Sequence, residues 1–118
     1  MSLNSEVKNY QDKLKTFAED REWEQFHSPK NIACALSVEA SELLEIFQWL
    51  SSEQSQKLNE KQIGEVRDEI SDVFLYLIKL ADTLDINLSE SLDQKMIKNE
   101  AKYPAEIVKG SSRKYTEY

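Results

Sequence analysis

The sequence predicts an all-α fold, a four-helix, bundle-like subunit that assembles into an oligomer. Three observations carry this. Only two glycines and two prolines punctuate 118 residues, and runs of β-branched residues are scarce, which favours helices over a sheet. Apolar residues recur at alternating spacings of three and four over long stretches, the period of an amphipathic helix. The stretches also open or close on capping or breaking residues. At this length one domain is expected, over residues 1–104, followed by a polar tail, 105–118.

The first helix begins near Asn4 or Ser5, either of which can cap. It carries Leu3, Val7, Tyr10, Leu14 and Phe17 on one face and ends around Asp20. Residues 21–28, REWEQFHS, form an aromatic loop with Trp23, Phe26 and the single histidine, His27. Ser28 followed by Pro29 supplies an N-cap with proline in the first helical position, so the second helix runs from there to about Leu50. That helix is apolar nearly all round, with Ala35, Val38, Ala40, Leu44, Phe47 and Trp49 off its main stripe. A four-helix monomer this small cannot easily cover it, which predicts packing between subunits. The polar stretch 51–59 leads to a third helix, about Glu60 to Leu84, whose seam is Val66, Ile70, Val73, Leu77, Leu80 and Leu84. Ser89 caps a fourth helix that runs to Lys102 and is stopped by Pro104.

Charge and composition narrow the function. A net charge of -7 repels a polyanion, and the basic residues form no block, so nucleic acid is not an expected partner. The acid excess suits carboxylates that wait for a divalent cation, and suits a solvated surface equally. Cys34 is the only cysteine; it rules out an intrachain disulfide, fits a reducing compartment and reads as an inert core thiol. No apolar run approaches the ~18 residues of a membrane span, and the N-terminus reads as a polar helix start, so a cytoplasmic protein without a membrane partner is expected. Two glycines in all leave no P-loop.

Glu39 stands where a core leucine belongs. Apolar residues at 32, 36, 43, 46 and 50 trace one face of the second helix, and position 39 is the missing beat. Glu42 lies three residues on, about 60° round the helix. The third helix repeats the arrangement with Glu69 and Asp72 beside its seam. Burying one unpaired carboxylate costs several kcal/mol, so Glu39, Glu42, Glu69 and Asp72 need a shared partner. If the two helices pack antiparallel, the four acids face one another across a gap. Hard oxygen ligands point to Mg²⁺, with Mn²⁺ as an alternative. A structural network with Arg67, Lys79, Lys95 or Lys102 is the competing account. Diiron chemistry is disfavoured, because it needs Glu-x-x-His pairs and the one histidine lies in a loop.

Lys95, Asn99 and Lys102 fall at i, i+4 and i+7 of the fourth helix, a stripe with two cations and an amide. Cations opposite a metal-loaded acidic cluster would clamp a polyphosphate. Trp23, Phe26, Trp49 and Tyr76 could wall a base, although aromatics at helical spacing are commonly core.

Glu39, Glu42, Glu69 and Asp72, with "DREWEQFHSPKN", "EASELLEIFQWL", "DEISDVFLYL", "KMIKNEAKYP" and the tail "SSRKYTE", resemble the MazG-like all-α nucleoside triphosphate pyrophosphohydrolases, whose signature is ExxE on one helix and ExxD on the next. Within them the chain looks like the dCTP pyrophosphatase branch. The resemblance implies hydrolysis of a dNTP, dCTP or a modified dCTP above all, to the dNMP and pyrophosphate, a Mg²⁺ requirement and a homotetramer. It implies metal ligation by Glu39, Glu42, Glu69 and Asp72. It sets Trp23, His27, Trp49, Tyr76 and Asn99 around base and sugar, and Lys95 and Lys102 near the phosphates. Water would be directed at the α-phosphorus by a carboxylate or a metal-bound hydroxide, with Glu42 preferred as base and Glu39 as a buried ligand. Lys102 stands where relatives often carry arginine, and lacks the bidentate fork. Arg113 and Lys114, beside Ser111 and Ser112, are expected to close over bound triphosphate. The alternatives are hydrolysis of dUTP or of a broad range of NTPs, and a non-catalytic helical oligomerisation module.

Overall fold

The computed structural model describes residues 2–112 and Thr116. Its elements are helical and none of the described residues is in a strand. The chain divides into two compact units, Met1–Ile86 and Asn87–Tyr118. The first holds α1 (Leu3–Asp20), a 3₁₀ turn (Glu24–Phe26), α2 (Pro29–Phe47), the single-turn α3 (Ser52–Ser55) and α4 (Glu60–Thr83); the second holds α5 (Leu88–Lys102) and the short α6 (Ala105–Val108). No described helix is long and apolar enough to cross a membrane.

Side-chain caps set the helix starts. The Ser28 hydroxyl accepts the Asn31 N–H at 3.1 Å, and the Asn31 amide donates back to the Phe26 carbonyl at 2.9 Å, tying the aromatic loop to the mouth of α2. Asn59 and Gln62 form a reciprocal capping box at the start of α4. Ser51 and Gln54 form another, and it turns part of the expected connection into α3. Three boundaries differ from expectation: Ser2 caps α1, Asn87 caps α5, and α2 stops at Phe47. In the first two cases an upstream side chain, Ser2 or Asn87, reaches an N–H three residues on, and the helix begins earlier.

α1 and α4 end alike. The Glu22 and Trp23 amides donate to the Glu19 and Ala18 carbonyls at 3.1 and 2.9 Å; those of Asp85 and Ile86 donate to Asp82 and Ala81 at 3.2 and 2.8 Å. This is the Schellman pattern, which requires a left-handed residue past the cap. Glu22 (φ 54°) and Asp85 (φ 55°) fill those positions without being glycine. Replacing Glu22 by Gly is therefore expected to stabilise the fold by about 1 kcal/mol, a few degrees in thermal denaturation. The Gln25 amide bonds the Glu22 carbonyl, not its side chain, so the change leaves that contact intact; a lower melting temperature would refute the account.

The core of the first unit is small: Val7 and Ala18 from α1, Ile32 from α2, Ile78 and Ala81 from α4. α4 is its centre, packing on both α2 and α1. Ile32 shares a cavity wall with Tyr76 and Lys79, whereas Glu39, later in α2, meets Glu69 and Asp72, earlier in α4. The two helices therefore run antiparallel. Because α4 turns one side to each neighbour, its fully buried line is Ile78 and Ala81, while Ile70, Leu77 and Leu84 of the expected seam are exposed. Among the described residues the remaining apolar face of α2 is also uncovered, with Val38 and Leu44 exposed, as is Trp49 just beyond it. Cys34 lies on an uncovered part of α2 and is exposed, which corrects its assignment to the core.

Candidate functional site

The antiparallel pairing of α2 and α4 brings acids from both helices together. Glu39, Glu69 and Asp72 each present a carboxylate oxygen, and these oxygens lie within 4.8 Å of one another. Glu39 and Glu69 are half-buried and Asp72 is exposed. Glu42 falls outside that set but hydrogen-bonds Glu39 when a proton is present between them.

The electrostatics of the cluster are strained. Glu39 Oε2 and Glu69 Oε2 are buried with no hydrogen-bond partner. Two ionised carboxylates can only accept, so they cannot bond each other, and a proton or a cation between them relieves their repulsion. When it is a proton, Glu39 carries it: the hydrogen bond to Glu69, then desolvation, then the bond and charge of Glu42 and the charge of Asp72 push its carboxyl up to about 7. Orphaned anionic oxygens converging from two rigid helices fit a hard divalent cation, which Glu39, Glu69 and Asp72 would hold with Glu42 beside them.

Next to the acids is a cavity of about 600 Å³. Phe17 from α1, Trp23 and His27 from the loop, and Tyr76 from α4 supply its aromatic wall, and Asp72 belongs to both cavity and cluster. Each wall residue has a local cause. The Schellman turn carries Trp23 back over α1, where its ring meets Phe17 edge-on at 5.8 Å. Arg21 covers Phe17 from 3.6 Å and donates to its carbonyl, fixing that ring. Tyr76 stands one turn beyond Asp72 on α4. His27 is half-buried, with Nδ1 unpartnered. Its pKa is lowered by desolvation first and then by the positive charge of Lys79, against the opposing pull of Glu24, so the ring is neutral at pH 7.

The expected site residues thus divide. Glu39, Glu69 and Asp72 come together with Glu42 adjacent, and Trp23, His27 and Tyr76 line one cavity. Trp49 does not join them: α2 ends before it, and it is 87% exposed. Lys95, Asn99 and Lys102 lie on one stripe of α5 in the second unit, the lysines exposed and Asn99 half-buried. Arg113 and Lys114 lie outside the described residues. Tyr10, Lys13, Phe17 and Lys79 line the cavity and were not among the expected contacts. For Lys79 the sequence held a signal, since it follows Tyr76 by three residues and Asp72 by seven, on the same helical face. For the α1 residues it held none, because they read as an ordinary seam.

The profile of the MazG-like family matches residues 34–118. The dCTP pyrophosphatase 1 of Homo sapiens is 41% identical over 103 residues, and those of Rattus norvegicus and Mus musculus are 40% identical. Each match takes in 86% of this chain and 61% of the relative, so the chain spans about three-fifths of the length of the curated relatives it matches. A crystal structure of a pyrophosphatase from Archaeoglobus fulgidus DSM 4304 superposes with a TM-score of 0.78 at 45% identity, covering 84% of this chain and 93% of that one.

Proposed function

Because the chain belongs to the MazG-like family, we propose that it is a Mg²⁺-dependent nucleoside triphosphate pyrophosphohydrolase that converts a dNTP, dCTP or a modified dCTP first among them, to dNMP and pyrophosphate. The observation that carries this reading is the junction of two features: a cluster of carboxylates with orphaned buried oxygens, and an aromatic cavity of nucleoside size sharing Asp72 with it. A non-catalytic oligomerisation module needs neither.

Glu39, Glu69 and Asp72 would hold the cation in this reading, with Glu42 beside them; when bound, it would neutralise charge on the triphosphate and stabilise pyrophosphate as a leaving group. Glu42 is the proposed base: it adjoins the cluster without belonging to the tight set, which leaves its carboxylate to orient and deprotonate the attacking water. Trp23, His27 and Tyr76 hold the base inside the cavity and shield the reaction from bulk water. Lys95 and Lys102 on α5 are assigned to the phosphates, Asn99 to the sugar, and Trp49 to the base. The reading includes action on free nucleotides in the cytoplasm and a homotetramer, the assembly being supported by the apolar faces of α2 and α4 left uncovered among the described residues.

The test is pyrophosphate release from each of the common dNTPs with Mg²⁺. Release with dCTP at or near the top of the series is expected, and its loss on chelation. A preference for dUTP would move the substrate within the same chemistry; no release from any nucleotide would end the enzymatic reading.

A further inference from the structure

The cavity is walled by aromatic and aliphatic groups, and its two lysines are not equivalent. The Lys13 ammonium lies 5.3 Å from the centre of the Tyr10 ring and is engaged with its π face. Lys79 is half-buried, and among the described residues its ammonium makes none of the ion pairs; beyond the helical ladder of α4, its carbonyl accepts from the Thr83 hydroxyl. Its charge is nonetheless felt by His27 across the same wall. An ammonium offers three donors and no acceptor, so Lys79 brings to the cavity a strong donor that awaits an acceptor.

Its position says what part of a nucleotide it meets. Asp72 and Lys79 are two helical turns apart on α4, about 10 Å along the axis. A ligand whose phosphates engage the carboxylates extends by its sugar and base toward Lys79. Trp23 and Tyr76 cannot choose among bases by stacking, because every base has a π face. A cationic donor fixed in the wall can. Cytosine presents O2 and N3 as acceptors, uracil and thymine present O2 and O4, and guanine and hypoxanthine present O6. Adenine has no carbonyl and turns an amino group where hypoxanthine has O6.

We propose that Lys79 is a specificity-determining residue that donates to a carbonyl oxygen of the nucleobase, so that the cavity selects carbonyl-bearing bases over adenine. This rests on the reading of the chain as a nucleoside triphosphate pyrophosphohydrolase.

The cleanest pair of probes is dITP and dATP, two purine nucleotides that differ in a 6-oxo against a 6-amino group. The wild-type protein is expected to favour dITP by about tenfold or more in kcat/KM, the scale of a charged hydrogen bond, with the difference carried by KM. Lys79→Met keeps the length and removes the charge; it should raise KM for dITP and dCTP, spare KM for dATP, and bring the dITP-to-dATP ratio close to one. Equal rises for dITP and dATP would assign Lys79 to the phosphates and overturn the proposal, as would an unchanged ratio. Deoxyinosine and deoxyadenosine, titrated into metal-free protein and followed by the Trp23 indole N–H resonance, pose the same question without phosphate or turnover. Preference for deoxyinosine, lost in Lys79→Met, supports the assignment; no preference in the wild type overturns it. If no dNTP is hydrolysed, the enzymatic reading fails, and the nucleoside titration still decides the role of Lys79.

Discussion

Glu39→Gln is expected to reduce pyrophosphate release by on the order of 10²–10³-fold at saturating Mg²⁺, while making the metal-free protein more stable above pH 7. Glutamine is nearly isosteric and keeps one acceptor oxygen, but it lacks the charge that holds a cation between α2 and α4. The stability change has a definite sign. The carboxyl of Glu39 is raised from its ordinary 4.5 to about 7, so the folded state binds a proton there more tightly than the unfolded chain does. The resulting stabilisation is complete below about 4.5 and is lost as pH rises through about 7. The glutamine variant has no such proton to lose. Thermal denaturation in a chelator should therefore give a wild-type melting temperature that falls across this window more steeply than that of Glu39→Gln, with the two curves separating at pH 8. Near-wild-type turnover by the variant would remove Glu39 from the metal site.

Binding of a divalent cation by the wild-type protein is expected to weaken by about tenfold for each pH unit below 7, because the cation must displace the proton that Glu39 shares with Glu69. Isothermal titration with Mn²⁺ in the absence of nucleotide measures this directly. The plot of log affinity against pH should have a slope near one between pH 5 and 7, flattening above. In buffers of different ionisation enthalpy the same titration should report release of about one proton at pH 6. A pH-independent affinity would mean that the cation binds elsewhere.

The parts of this architecture that were legible in the sequence are those in which one residue violates a local pattern. Glu39 in an apolar register, repeated by Glu69 and Asp72 beside a second seam, located the cluster before any helix was packed. Pro29 after Ser28 located the start of α2 for the same reason. Features that depend on which neighbour covers which face were not legible. The periodicity of α4 fits several adjacent stripes, and only packing on two helices at once selects Ile78 and Ala81. Tyr10 and Phe17 read as the seam of α1, yet each is nearly half exposed because it walls a cavity. Single-turn α3 and α6 are too short to show a period. Ser51 and Gln54 did carry a capping-box signature, which a polar connection concealed. Trp49 enters the expected site through the resemblance and as an aromatic able to wall a base; α2 ends at Phe47, so helical register does not govern its position.

The turn that ends α1 has a kinetic consequence. Trp23 is held to Ala18 by a backbone hydrogen bond only five residues long in sequence, and the loop beyond it is pinned by Asn31. Both constraints are local and complete in the ligand-free chain. The aromatic wall therefore needs no ordering step when a ligand arrives, and no entropy of loop closure is charged against its affinity. Association at this wall should follow a single bimolecular phase whose rate rises linearly with ligand concentration, without the saturation that marks a gate opening beforehand.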